Sequence, residues 1–140
     1  MLAPAAAHLA ASADLGSLGA AFDRATLVGL TIPEPTVEHG KIECEVLDLN
    51  RFGNVLLSVR ESQLAESVLD GAGAIQVDAT SGSGRARRVS TYADVASGDW
   101  GLIVEPRGWL SVVRGNPANA AEGLGGVGPS DPIWLTVVRD

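Results

Sequence analysis

The sequence holds a single cysteine, Cys44, which excludes an internal disulfide framework and any zinc site built on cysteines. A reducing, cytoplasmic setting is the default for such a chain. Aromatic residues are scarce, at 4 %. Positive charge is short as well: 10 Lys and Arg face 17 Asp and Glu, for a formal charge of −7. An acidic surface repels phosphate backbones, so no nucleic-acid partner is expected. Long hydrophobic runs are missing. The apolar start, Leu2 to Ala10, is too short to span a bilayer and has no basic flank, so neither a membrane helix nor a signal peptide is expected. No internal repeat stands out.

What is present points to a globular chain. The 140 residues suffice for one hydrophobic core, and 46 % of them are apolar. Seventeen glycines with so few aromatics favour short strands joined by tight turns. Pro4 and the alanine run from Ala5 predict one short helix, broken by Gly16 and Gly19. Residues 20–37 read as an extended strap, because Pro33 and Pro35 hold the backbone in β or polyproline conformation. Residues 1–37 are therefore assigned to a terminal helix plus an interdomain strap, and 38–140 to one domain.

Within 38–140 the pattern turns to period two. Ile42, Cys44 and Val46 alternate with Glu43 and Glu45, which predicts a half-buried strand. Further strands are predicted at 54–60, 74–79, 85–91, 101–106, 108–114 and 132–138. Short helices are predicted at 61–69 and 116–124, the second with Asn116 as cap and Pro117 at its first position. The fold class expected is all-β: a small antiparallel Greek-key-like barrel, or a two-sheet sandwich, with short peripheral helices.

Three segments, in order, resemble one family. Leu2-Ala3-Pro4-Ala5-Ala6-Ala7-His8-Leu9-Ala10 is similar to the helix that ends the N-terminal domain of the S-adenosylmethionine hydroxide adenosyltransferases. Asn50-Arg51-Phe52-Gly53-Asn54 is similar to that family's Asp-Arg-Phe-Gly-Asn turn. Thr91-Tyr92-Ala93-Asp94-Val95, then Arg107-Gly108-Trp109-Leu110 and Asn119-Ala120-Ala121-Glu122, resemble its later motifs. The resemblance covers nearly the whole chain and implies a homotrimeric hydrolase, a relative of fluorinase and chlorinase. Such an enzyme cleaves S-adenosylmethionine with water to adenosine and methionine, at a site between one subunit's N-terminal domain and the next subunit's barrel. No metal or redox cofactor is implied, since the sulfonium is already an activated leaving group.

By the same resemblance, Asn54 matches an adenine-binding amide, and a carboxamide offers both donor and acceptor. Phe52 and Tyr92 match aromatic positions that flank the purine. Arg107 lies in the hairpin facing the methionine carboxylate, and Arg114 and Asn116 lie near the adenine-reading loop. Asn50 replaces the Asp expected to meet the methionine ammonium, keeping hydrogen bonding but not charge. Pro106 replaces a Ser and has neither hydroxyl nor backbone donor. The family's catalytic Asp, Arg and His belong to its N-terminal domain, so the chain is expected to supply no catalytic residue and to be inactive alone. The rival expectation is a non-catalytic nucleoside-binding or trimerisation barrel.

Other residues have simpler readings. His8 and His39 read as exposed, Cys44 as a core residue, and Trp100, Trp109 and Trp134 as core or interface residues. Arg85, Arg87 and Arg88 read as a solvated strand edge. Gly125-Gly126-Val127-Gly128 lacks the strand before and helix after that a phosphate cradle needs, so it reads as a loop.

Overall fold

The computed structural model describes residues 2–67 and 69–138. The chain separates into two compact units, residues 1–31 and 32–140. The first contains helix α1 (Leu2–Ala10) and two single 3-10 turns, Leu15–Leu18 and Arg24–Thr26. Asp14 and Asp23 cap these turns, their carboxylates accepting the amides of Gly16 and Ala25. The helix and both turns contain no buried residue.

The second unit is built from β1 (Thr36–Glu38), β2 (Lys41–Leu49), β3 (Val55–Arg60), α2 (Glu61–Ala65), β4 (Ile75–Ala79), β5 (Ser83–Arg88), β6 (Trp100–Val104), β7 (Trp109–Arg114), α3 (Ala120–Gly123) and β8 (Pro132–Val137). Strands β2 to β8 run in the order β2-β3-β7-β6-β5-β4-β8, and β8 pairs back onto β2. That last pairing decides between barrel and sandwich: the sheet closes. Strand β1 pairs with Lys41–Glu43 of β2, leaving Val46–Leu49 for β3 on the same edge. A bulge between Val46 and Asp48 redirects β2 there.

Period-two patterning builds the interior. Ile42, Cys44 and Val46 from β2 meet Val55, Leu57 and Val59 from β3, and Leu110 and Val112 from β7, all buried. Leu102 of β6 joins them, while its neighbour Ile103 belongs to a second cluster with Val89, Val113 and Val95. Gly101 allows that second cluster to close, since a Cβ there would stand 2.8 Å from Val95 and 3.0 Å from Val89 and Val113.

One pairing departs from the antiparallel expectation. Strands β5 and β6 are parallel, registering Ala86 with Trp100 and Arg88 with Leu102. A tight hairpin cannot join parallel strands, so residues 89–99 form a crossover. Val89 and Val95 pin it to the barrel, and between them sits a 3-10 turn, Tyr92–Asp94. The parallel pair is what carries Tyr92 to its place.

The same topology corrects the arginine reading. Strand β5 lies between β4 and β6, not at an edge. Arg88 pairs with Asp70 and Glu61, and Arg87 donates to the carbonyl of Asp94. Helix α2 ends at Ala65, and α3 starts at Ala120, each shorter than its pattern suggested. The cap of α3 is Asn119, whose Oδ1 accepts from the amide of Glu122 at 2.8 Å; Asn116 does not cap it.

Candidate functional site

Asn50 shapes the turn between β2 and β3. Its Oδ1 accepts from the amides of Phe52 (2.9 Å) and Asn54 (3.1 Å), closing an Asx turn. Gly53 has φ +76°, and a Cβ there would lie 2.4 Å from the side chain of Asn119. The Gly53 carbonyl in turn accepts from the amide of Ala121 at 2.9 Å. The turn is thereby held against α3 by a contact that only glycine permits. It leaves Phe52 exposed, with the Arg51 guanidinium 4.7 Å above its ring, and buries Asn54.

The β6–β7 hairpin turns at Glu105-Pro106-Arg107-Gly108. The Gly108 amide donates to the Glu105 carbonyl and the Glu105 amide to that of Trp109, each at 2.8 Å. Arg60 stacks on Trp109 at 3.8 Å and reaches the Arg107 carbonyl at 3.5 Å. The crossover then meets this hairpin: the Tyr92 hydroxyl donates to Glu105 Oε1 at 2.8 Å. Burial, then the hydrogen bond to Glu105 and the charge of that carboxylate, push the Tyr92 phenol up to about 12; the Asn54 side chain, also hydrogen-bonded to it, acts in the opposite sense.

Two clefts adjoin along Asn50, Asn54 and Tyr92, which line both. The smaller, of about 360 Å³, lies toward the hairpin, with Asp48, Glu105, Pro106, Arg107 and Trp109. The larger, of about 800 Å³, lies toward α3, with Phe52, Val95, Arg114, Asn116 and Asn119. All seven residues singled out from the sequence thus line one or other cleft. Their side chains are differently engaged. Asn50 Oδ1 is spent on backbone amides, and Arg114 donates Nε to the Gly98 carbonyl at 3.1 Å while lying 4.9 Å over Trp100. Phe52, Tyr92, Arg107 and Asn116 are exposed at the rims.

Residues 44–134 match the C-terminal domain family of the S-adenosylmethionine (SAM) hydroxide adenosyltransferases. The chain belongs to this family. It is 35 % identical over 136 residues to the (R)-S-adenosyl-L-methionine hydrolase of Salinispora tropica, an alignment that takes in 97 % of this chain and 48 % of that protein. The chain therefore spans about half the length of the curated relative it matches. A conserved protein from Thermotoga maritima shares the fold with a TM-score of 0.66 at 23 % identity, over 79 % of this chain and 42 % of that one. A conserved protein from Thermus thermophilus superposes with a TM-score of 0.56 at 29 % identity, over 95 % and 49 %.

Among the cleft-lining residues that sequence reasoning missed in this hydroxide adenosyltransferase domain are Asp48, Glu105 and Trp109. Asp48 precedes Asn50 by two, the strand period that puts both on one face, and this signal was available. Glu105 and Trp109 flank the hairpin turn, and their convergence with Tyr92 depends on the parallel crossover.

Proposed function

We propose that the larger cleft is the nucleoside side of a SAM-hydrolysing site, with Asn54 reading adenine and Phe52 and Tyr92 flanking it. The supporting observation is the meeting of Asn54, which is buried, with two exposed aromatic side chains at one cleft of about 800 Å³. A carboxamide pairs with a purine edge, and aromatic faces stack on any base. The Salinispora tropica relative is a SAM hydrolase by name, and membership of the C-terminal domain family supports the same chemistry for the protein to which this domain belongs.

In the complete protein, water attacks the ribose carbon beside the sulfonium, and methionine leaves. The sulfonium supplies the activation, so no metal or redox cofactor is required. The barrel faces a catalytic N-terminal domain, in a homotrimer whose sites fall between subunits. A single buried cysteine suits a cytoplasmic location, and among the described residues no helix is long and apolar enough to cross a membrane.

Calorimetric titration with adenosine tests this reading. Saturable binding at roughly millimolar strength, about 4 kcal/mol, is expected, and Asn54→Ala abolishes it. Absence of binding, or binding indifferent to Asn54→Ala, would overturn it.

A further inference from the structure

The larger cleft is cationic on an acidic chain. Among the described residues its lining includes two guanidiniums, Arg51 and Arg114, and no carboxylate, although the formal charge of the chain is −7. The carboxylates of Asp48 and Glu105 line the adjoining smaller cleft instead.

Neither arginine is neutralised elsewhere. Arg88 pairs with Glu61 and Asp70, and Lys41 with Glu43, but Arg51 and Arg114 have no carboxylate partner among the described residues. Arg51 covers one face of the Phe52 ring at 4.7 Å. Arg114 is fixed in place: its Nε donates to the Gly98 carbonyl at 3.1 Å, and its guanidinium lies 4.9 Å over Trp100. Trp100 sits in a slot that two glycines leave open, since a Cβ on Gly84 would stand 2.4 Å from its ring and one on Gly123 2.6 Å. The Nη atoms of Arg114 meet no acceptor among the described residues. A held guanidinium therefore keeps donors for a ligand, with little entropy left to lose.

A neutral nucleoside uses none of this charge. A phosphate does, because guanidinium donors match its oxygens and no carboxylate of the same cleft opposes it. We propose that the larger cleft takes phosphorylated adenine nucleotides, with Asn54 reading the base and Arg51 and Arg114 meeting the phosphate, so that such nucleotides compete with SAM for the barrel. This rests on reading that cleft as the adenine site. Asp48 and Glu105 repel the same phosphate from the smaller cleft, which favours the orientation toward α3.

The test titrates the 140-residue chain with adenosine and with its 5′- and 3′-monophosphates. At low salt at least one monophosphate should bind about five- to tenfold more tightly than adenosine, with the gap shrinking as salt rises. Adenosine should displace it, and Asn54→Ala should abolish binding of both. Arg51→Gln and Arg114→Gln should each cut the ratio of monophosphate to adenosine affinity by about half or more. Monophosphates that bind no more tightly than adenosine overturn the proposal, and this arm needs no variant to fold. A ratio unmoved by both arginine variants overturns it too, as does a monophosphate that adenosine cannot displace, since the phosphate is then bound elsewhere. In each of these cases, adenosine binding lost on Asn54→Ala leaves the nucleoside reading standing. Failure of all three ligands to bind the wild-type chain overturns both.

Discussion

Tyr92 donates its hydroxyl hydrogen to Glu105 Oε1 at 2.8 Å, tying the β5–β6 crossover to the β6–β7 hairpin. The bond sits where the two clefts adjoin, since Tyr92 lines both. The bond also makes the site observable, because Tyr92 is the only tyrosine in the sequence.

Titration of phenolate absorbance should therefore report one group, with its pKa pushed up to about 12 by burial and then by Glu105. Glu105→Ala should bring the midpoint down part of the way toward the ordinary value of about 10, burial still holding the rest. The folded pKa lies above the unfolded one, so the stability linked to Tyr92 is fully present below about pH 10. It is lost as pH rises toward about 12. Urea midpoints that stay constant across that window would contradict this.

Gly53→Ala should destabilise the chain by about 1–3 kcal/mol, since φ is +76° and the new Cβ meets Asn119. Asn119→Ala alone should cost about 1 kcal/mol as the α3 cap is lost. Truncating Asn119 removes the two closest contacts and leaves its Cβ at 2.8 Å, so the double variant should lose somewhat less than the sum of the two. A denaturant cycle measures that coupling.

Cys44 should be inert to thiol reagents in the folded chain near about pH 8 and react fully on unfolding. Burial, then the charges of Glu43 and Glu45, push its thiol up to about 12, so almost no thiolate exists at that pH. Rapid labelling without unfolding would refute the burial argument.

Leu57→Ala should cost about 2–5 kcal/mol, because Leu57 is fully buried where β3 faces the barrel interior. Thermal or urea denaturation checks it. Phe52→Ala, at an exposed ring, should change stability by less than about 0.5 kcal/mol while weakening adenosine.

Local patterns made the strands legible. The alternation from Ile42 to Val46 is written residue by residue, and burial follows it in the structure. The Asn50-Arg51-Phe52-Gly53-Asn54 turn was equally plain, because an Asx turn and a positive φ are properties of adjacent residues. The α3 cap was misplaced by three residues. Asn116 and Asn119 are the same residue type, and only packing of α3 on the β2–β3 turn selects between them.

The sequence by itself determined the strand periodicity, the tight turns, the acidic balance and the motif order that marks the family. These are short-range properties, settled by backbone sterics and side-chain polarity within a few residues. Tertiary structure decided the rest: barrel closure by β8 on β2, the parallel β5–β6 pair, and the meeting of Tyr92 with Glu105. Strand partners far apart in sequence are chosen by burial of the whole interior, a sum over all strands that no local pattern carries.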